Sequence, residues 1–152
     1  MQITKHFALH EFTASAKAAK LGIRNSPAPY ELDNITELCR DLLEPIRTAW
    51  GGPLKVTSGY RTPALNTAVG GSKSSAHASG YAADIVPTDT NVRVFKEWLR
   101  EWLPQSGLMF DQCISERNTA GSEWVHIAIR NRTGKQRGEY LRTMDCVTYS
   151  RW

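Results

Sequence analysis

The stretch that decides the fold is residues 75–87, which reads SAHASGYAADIVP. Its first half is rich in small and polar residues and is typical of a loop. Its second half is a short apolar run at residues 82–86, closed by a proline, which predicts a β-strand. In an extended strand, Asp84 points away from the core that its two neighbours face. Asp84 can therefore face a cleft, and His77 lies seven residues before it.

The clearest helix lies upstream, at about residues 29–50. Its apolar residues recur three and four positions apart, which is the spacing of one helix face. Pro29 suits the first turn, and Gly51 ends the helix. Pro45 lies inside the pattern, so we expect a kink there or an end near Leu43.

The rest of the chain alternates between short helices and short strands. After residue 130 the sequence has no strong period. Because no linker or internal repeat interrupts the pattern, we expect residues 1–152 to form a single α+β domain. The remaining predicted elements are a short helix that stops at Gly22, a helical turn and long loop at 62–79, a helix at 91–103, and strands at 54–58, 112–116 and 123–129.

The composition excludes several classes of protein. Of the 152 residues, 41% are hydrophobic and 22% are charged. This is ordinary globular usage and excludes a disordered tail, a collagen-like repeat and a coiled coil. No apolar run approaches the roughly 18 residues of a membrane-spanning helix, and the first residues lack the apolar stretch of a secretory signal. We therefore expect synthesis in the cytoplasm and no membrane span.

Charge and cysteine content narrow the set of partners. Nineteen Lys and Arg side chains against fifteen Asp and Glu give a net charge of +4. An excess this mild is more often solvated surface than a binding face, so we expect no nucleic-acid partner. A monomer is the default expectation. The three cysteines are Cys39, Cys113 and Cys146. They include no Cys-x-x-Cys pair, which argues against a disulfide framework and against a thiolate zinc cluster.

Four side chains provide the chemical groups that a metal-dependent hydrolase needs. A zinc hydrolase needs three nitrogen or oxygen ligands, an open coordination position, and a carboxylate that takes a proton from water. His77, Asp84, His126 and Glu123 provide these groups. Spacing alone leaves an alternative open, because a loop histidine is often a hydrogen-bonded surface residue and Asp84 could merely cap a turn.

The strand at 123–129 sets a geometric condition on this site. Successive side chains of a strand point to opposite faces, so Trp124 and His126 share a face opposite Val125. In a regular strand, Glu123 and His126 would point in opposite directions. Glu123 must therefore lie in the preceding loop or at a bulge to reach the metal.

Three motifs follow one another along the chain. They are Ser-x-Tyr-Arg at Ser58, Tyr60 and Arg61; Ser-x-His-x-x-Gly-x-Ala-x-Asp at Ser75, His77, Gly80, Ala82 and Asp84; and Glu-x-x-His at Glu123 and His126. In this order they resemble the zinc D-alanyl-D-alanine peptidase family of peptidoglycan enzymes. That family includes VanX-type dipeptidases, D,D-carboxypeptidases and phage L-alanyl-D-glutamate endolysins. The N-terminal Phe7-x-x-x-Glu11-Phe12 and the Gly-Gly-Ser stretch at 70–72 look like its phage-associated branch.

The resemblance implies a fold and a set of roles. The implied fold is a hedgehog- or D,D-peptidase-like α+β domain, in which helices flank a small antiparallel sheet that carries Zn²⁺. His77, Asp84 and His126 would bind the Zn²⁺. Glu123 would be the general base that activates the attacking water and later protonates the leaving amine. Arg61 would donate to the scissile carbonyl oxygen as negative charge develops on it.

Other residues are weaker candidates. Ser75, Tyr60 and Trp124 are expected to contact the substrate. Gln112 and Glu116 flank the preceding strand. We interpret them as the polar face of an edge strand, in preference to supports for a ligand histidine.

The implied function is cleavage of a peptide bond in the peptidoglycan stem. The predicted lack of a secretory signal suits a phage or prophage endolysin, which acts on the bacterial cell wall after release. One alternative is a carboxypeptidase or dipeptidase on D-Ala-D-Ala ends, which needs a closed pocket rather than an open groove. Another is a non-catalytic, zinc-containing module that binds the cell wall. The spare carboxylate of Glu123 argues against this second alternative.

Overall fold

A six-stranded sheet lies at the centre of the computed structural model, which describes residues 1–152. The strands are β1 (Leu54–Ser58), β2 (Ala82–Pro87), β3 (Gln112–Arg117), β4 (Glu123–Ala128), β5 (Glu139–Thr143) and β6 (Tyr149–Arg151). Their order across the sheet is β1-β2-β4-β3-β5-β6. β5 lies parallel to β3, and every other neighbouring pair is antiparallel.

The parallel pair corrects the expectation of an antiparallel sheet. β4 ends beside the start of β3, where Ala128 pairs with Gln112. The chain has only to pass this end of β3 to enter β5 in the same direction, with Glu139 opposite Gln112. Most side chains of β5 are half-buried. Its sequence therefore lacks the alternation that identified the other strands.

Six α-helices and three other helical turns accompany the sheet, so the α+β class expected from the sequence is confirmed. No helix is both long enough and apolar enough to cross a membrane. The α-helices are α1 (Leu9–Thr13), α2 (Ala16–Leu21), α3 (Pro29–Leu38), α4 (Glu44–Trp50), α5 (Pro63–Ala68) and α6 (Val92–Trp102). The other turns are a π-helical segment (Cys39–Leu43) and two 3₁₀ turns (Ala76–Ser79 and Leu103–Gln105).

The π-helical segment explains how the chain accommodates Pro45. Proline has no N–H to donate, and its ring crowds the carbonyl group four residues earlier. The wider π turn just before Pro45 relieves this conflict. The helix therefore continues through α4 and ends at Gly51, whose φ is +78°. The predicted disturbance near Leu43 is confirmed, but the helix does not stop there.

The hydrophobic core lies between the helices and one face of the sheet. Leu38 and Leu42 are fully buried against inward-facing strand residues such as Ile85, Val125 and Ile127. Because strand side chains alternate, the residues between these positions project from the opposite face of the sheet. That opposite face carries the candidate site.

Candidate metal centre

Strand register brings two of the predicted ligands together. Asp84 on β2 pairs directly with His126 on β4. Paired residues of an antiparallel sheet project to the same face, which here is the face away from the core. His126 Nδ1 lies 3.1 Å from Asp84 Oδ1.

A turn brings the third predicted ligand to the same place. His77 lies in the 3₁₀ turn before β2 and is buried. The carbonyl oxygen of Gly59 lies 2.7 Å from His77 Nδ1 and accepts its proton. This bond fixes the tautomer, so Nε2 presents a lone pair. Nε2 lies 3.2 Å from Asp84 Oδ1 and 3.2 Å from His126 Nδ1.

The three ligand atoms fit a tetrahedral zinc ion. Metal–ligand bonds of 2.0–2.1 Å at tetrahedral angles separate neighbouring ligand atoms by about 3.3 Å. The observed separations of 3.1–3.2 Å are close to this value. Two imidazole nitrogens and one carboxylate oxygen are also a donor set that zinc prefers. His77, Asp84 and His126 can therefore hold Zn²⁺ with one coordination position left open.

All three candidate ligands have shifted pKa values. Burial lowers the pKa of His77, which favours the neutral, ligating imidazole. Burial alone would raise the pKa of Asp84, but the two neighbouring imidazoles hold it well below its usual range. Burial would lower the pKa of His126, but its hydrogen bond to Asp84 outweighs this and raises the pKa.

Gly80 is the residue that lets the His77 turn close. Its φ is +79°, and an added Cβ would lie 2.8 Å from the carbonyl oxygen of Glu31. We expect Gly80→Ala to lower the free energy of unfolding by about 1–3 kcal/mol and to weaken zinc binding, because the turn that carries His77 must shift. Thermal unfolding and a zinc titration measure the two effects.

Gly22→Ala is the matched control for this substitution. Gly22 also has a positive φ, +66°, but an added Cβ would have no neighbour within 4 Å. We expect this variant to show a smaller loss of stability and unchanged zinc affinity. Equal losses of stability in the two variants would indicate that the positive φ alone causes the loss. The close packing around Gly80 would then not contribute.

Arg61 lies at the edge of the cluster, as the sequence predicts. Its Nη2 lies 3.8 Å from Asp84 Oδ2. Its Nε donates to Ser58 Oγ and its Nη1 to Asn66 Oδ1, both at 3.3 Å. These bonds hold the guanidinium group, and its positive charge, beside the three ligand atoms.

The structure does not bring Glu123 to the cluster, which corrects its assignment as the general base. Glu123 lies in the regular part of β4, paired with Arg117, so its side chain projects away from the His126 face. Lys96 Nζ and Arg93 Nε on α6 bind its carboxylate at 3.2 and 3.0 Å. The loop or bulge that the metal role required is absent at this position.

We expect the ion pairs of Glu123 with Lys96 and Arg93 to stabilise the fold in a pH-dependent way. Burial would raise the pKa of Glu123, but Lys96 and Arg93 outweigh this and lower it. The stabilisation is therefore present above the usual pKa of a glutamate and is lost as the pH falls through the lowered value. Acidification from about pH 6 to about pH 3 should destabilise the wild type more than Glu123→Gln. Urea unfolding of both proteins across this pH range tests the prediction. Parallel curves of unfolding free energy against pH would contradict it.

Glu116 is the carboxylate that the structure places on the metal face. It pairs with Trp124 across β3 and β4, two pairs beyond the pairing of Ile114 with His126, and therefore lies on the same face as His126. Trp124 Nε1 donates to Glu116 Oε2. Burial raises the pKa of Glu116 above its usual range, opposed by His126. Residues paired across a hairpin share a face. The alternation of side chains in the predicted hairpin could therefore have indicated that Glu116 lies on the face of His126.

The structure places two of the three predicted substrate-contact residues at the cavity of the ligands and turns the hydroxyl of the third into the fold. Ser75 and Trp124 line the same cavity as the ligands, and Ser75 Oγ accepts from the backbone N–H of His77 at 3.2 Å. Tyr60 is buried, and its hydroxyl donates to Glu31 Oε1 at 2.9 Å. Because its only polar atom points into the fold, the structure does not support a substrate contact for Tyr60.

Two cavities share lining residues beside the cluster. The larger, of about 840 Å³, contains the three ligands, Glu116 and Trp124. The smaller, of about 580 Å³, lies along β1 and α1. Arg61 and Val69 line both cavities. The ligand cluster therefore has a second cavity beside it, on the other side of these two residues.

Comparison with known proteins agrees with this geometry. No curated protein gives a significant match to the chain. The sequence profile of the Peptidase M15 family matches residues 5–128, which include all three candidate ligands and Glu116. The match covers far more than half of the 152 residues, and the chain therefore belongs to the M15 family, the zinc D-Ala-D-Ala peptidases.

Proposed function

We propose that this protein is a zinc-dependent endopeptidase that cuts a peptide bond in the peptidoglycan stem. The observation that carries the proposal is the cluster of His77, Asp84 and His126, whose ligand atoms lie within 4.8 Å of one another. A carboxylate outside the ligand set, that of Glu116, lines the same cavity. A site that held zinc only for structure would need neither an open position nor such a carboxylate.

Zinc held by His77, Asp84 and His126 would act as a Lewis acid on the scissile carbonyl group and would make water a better nucleophile. Glu116 would accept the proton of the attacking water. It would then deliver that proton to the leaving nitrogen. Burial raises its pKa, which is the direction expected of a group that both takes and gives a proton.

Arg61 would stabilise the negative charge that develops on the carbonyl oxygen. Its guanidinium group is already held by Ser58 and Asn66, so little reorganisation is needed during the reaction. A lysine could not reproduce these two bonds and the contact with Asp84 from one planar group.

The two neighbouring cavities favour an endopeptidase over a dipeptidase. A dipeptidase must recognise both ends of a short substrate in a closed pocket, whereas an endopeptidase must let the chain continue on both sides of the cut. Cavity space lies on both sides of Arg61. A stem peptide could therefore run from the β1 side, across the ligand cluster, toward Trp124. The action of a phage or prophage endolysin on the wall after release is part of this proposal.

Digestion of purified sacculi tests the function. The zinc-loaded protein should open a stem-peptide bond, and mass spectrometry of the fragments identifies the new termini. A chelated sample should release no fragments, and Glu116→Gln should release them at least about 100-fold more slowly than the wild type. Free D-Ala-D-Ala, tested in parallel, should stay intact. Cleavage of the dipeptide alone would favour the dipeptidase, and binding to sacculi without cleavage would favour the non-catalytic wall-binding module.

A further inference from the structure

The C-terminal segment places a phenol beside the Glu116 carboxylate. Tyr149 is the first residue of β6, and its hydroxyl lies 3.3 Å from Glu116 Oε1. Tyr149 lies outside residues 5–128, the part of the chain that the M15 profile matches. The contact is therefore made by a segment that the family profile does not cover.

Strand register explains why the two side chains meet. Thr143 pairs with Glu116 across β5 and β3, and Tyr149 pairs with Thr143 across β6 and β5. Trp124 pairs with Glu116 on the other side. Because paired residues project to the same face, these four side chains form one row with Glu116 inside it.

The turn before Tyr149 is held by its own hydrogen bonds. The side chain of Thr143 is buried, and its Oγ1 accepts from the backbone N–H of Cys146 at 2.9 Å. Asp145 Oδ1 accepts from two later backbone N–H groups at 2.8 and 2.9 Å. These bonds fix the path of the backbone into β6, where Tyr149 is 43% exposed.

Each oxygen of the Glu116 carboxylate then has a donor. Trp124 Nε1 donates to Oε2, and the Tyr149 hydroxyl donates to Oε1. Burial and the charge of Glu116 raise the pKa of Tyr149 to about 12, so the hydroxyl keeps its proton at neutral pH. The same hydroxyl lies 3.4 Å from the carbonyl oxygen of Cys146, but a charged acceptor makes the stronger bond.

We propose that Tyr149 is a positioning residue for the general base: with Trp124 it holds the Glu116 carboxylate in one plane above the ligand cluster. The inference rests on the proposed function of Glu116. A general base must keep a fixed distance and angle to the proton that it abstracts. Donors at both oxygens restrict rotation of the carboxyl group, and a single donor does not.

Tyr149→Phe tests the proposal, because it removes the hydroxyl and keeps the ring. We expect kcat on a soluble stem peptide to fall about 10- to 100-fold, with KM changed less than about 2-fold. Zinc content and Tm should match the wild type. Tyr30→Phe is the control, since this tyrosine is 66% exposed on α3 and loses the same atom.

A double-mutant cycle with Glu116→Gln separates positioning from an independent role. If Tyr149 acts through Glu116, Tyr149→Phe should cause no further loss in the Glu116→Gln background. The same fold loss in both backgrounds would overturn the proposal. So would a change in KM with kcat unchanged, which would indicate a contact with the substrate instead.

Two further outcomes are distinguishable. Wild-type kcat in Tyr149→Phe beside an inactive Glu116→Gln would overturn this proposal and leave the proposed function intact. A wild-type protein that cleaves no peptide would overturn both. If Tyr149→Phe lowers Tm, Tyr149→Gln repeats the comparison with an amide donor, and a kcat no higher than that of the Phe variant would overturn the proposal.

Discussion

Glu116→Gln is expected to lower kcat by about 10²- to 10⁴-fold, the usual range for the loss of a general base. The amide keeps the shape of the side chain but cannot accept the proton of the attacking water. Zinc binding should persist, because none of the three ligand residues is changed. Steady-state turnover of a stem peptide, with zinc content measured on the same sample, checks both statements.

Glu123→Gln is the matched control, because the same chemical change is made seven residues later. Its carboxylate is held by Lys96 and Arg93 on the helix side of the sheet. We expect turnover to stay within about 3-fold of the wild type. The free energy of unfolding should fall by about 1–3 kcal/mol, since the buried Lys96 loses its charged partner. Loss of turnover in Glu123→Gln with full activity in Glu116→Gln would restore the role that the Glu-x-x-His motif implied.

Removal of the metal is expected to abolish turnover completely. Treatment with a chelator should stop cleavage, and added Zn²⁺ should restore it in proportion to the ion bound. Zinc should also stabilise the fold, by about 2.7 kcal/mol when its concentration is 100 times Kd. For a chain of this size that corresponds to roughly 5–10 °C in Tm. Thermal unfolding of chelated and zinc-loaded protein measures the shift.

Substitutions of the ligand residues test whether the zinc is bound at this cluster. His126→Ala should lose metal binding and turnover together, because two ligands cannot hold zinc tightly. His10→Ala removes a histidine outside the cluster and should retain one zinc ion per chain. Full zinc content in His126→Ala, with a Tm that still responds to zinc, would place the metal elsewhere in the molecule.

The alternation of strand residues agrees with the motif on two of the three candidate ligands. In β2 and β4 every second residue is apolar and packs in the core, as Ile85 and Val125 do. The polar residues between them, Asp84 and His126, therefore had to share the other face. The sequence motif and the strand period agree on these two positions, and His77 follows from the short turn before β2.

The same period argued against Glu123, but the motif outweighed it in the prediction. A motif records which residue types recur and does not report where a strand begins. In the structure, β4 begins at Glu123 itself, so the side chain falls on the core face. Lys96, placed by α6, then supplies a partner for it there. No local pattern could identify this pairing, because the two residues are 27 positions apart.

The sequence by itself determined the α+β class and the strand that carries Asp84, and it predicted the three candidate metal ligands, because these depend on local periodicity and on residues within short motifs. Only the tertiary structure decided which carboxylate lies on the face of the ligand cluster and how the C-terminal segment reaches that carboxylate. Those features depend on the register between strands that are distant in sequence, as in the row of Trp124, Glu116, Thr143 and Tyr149. A shift of one residue in that register would turn each side chain to the opposite face, so this part of the site is set by long-range packing.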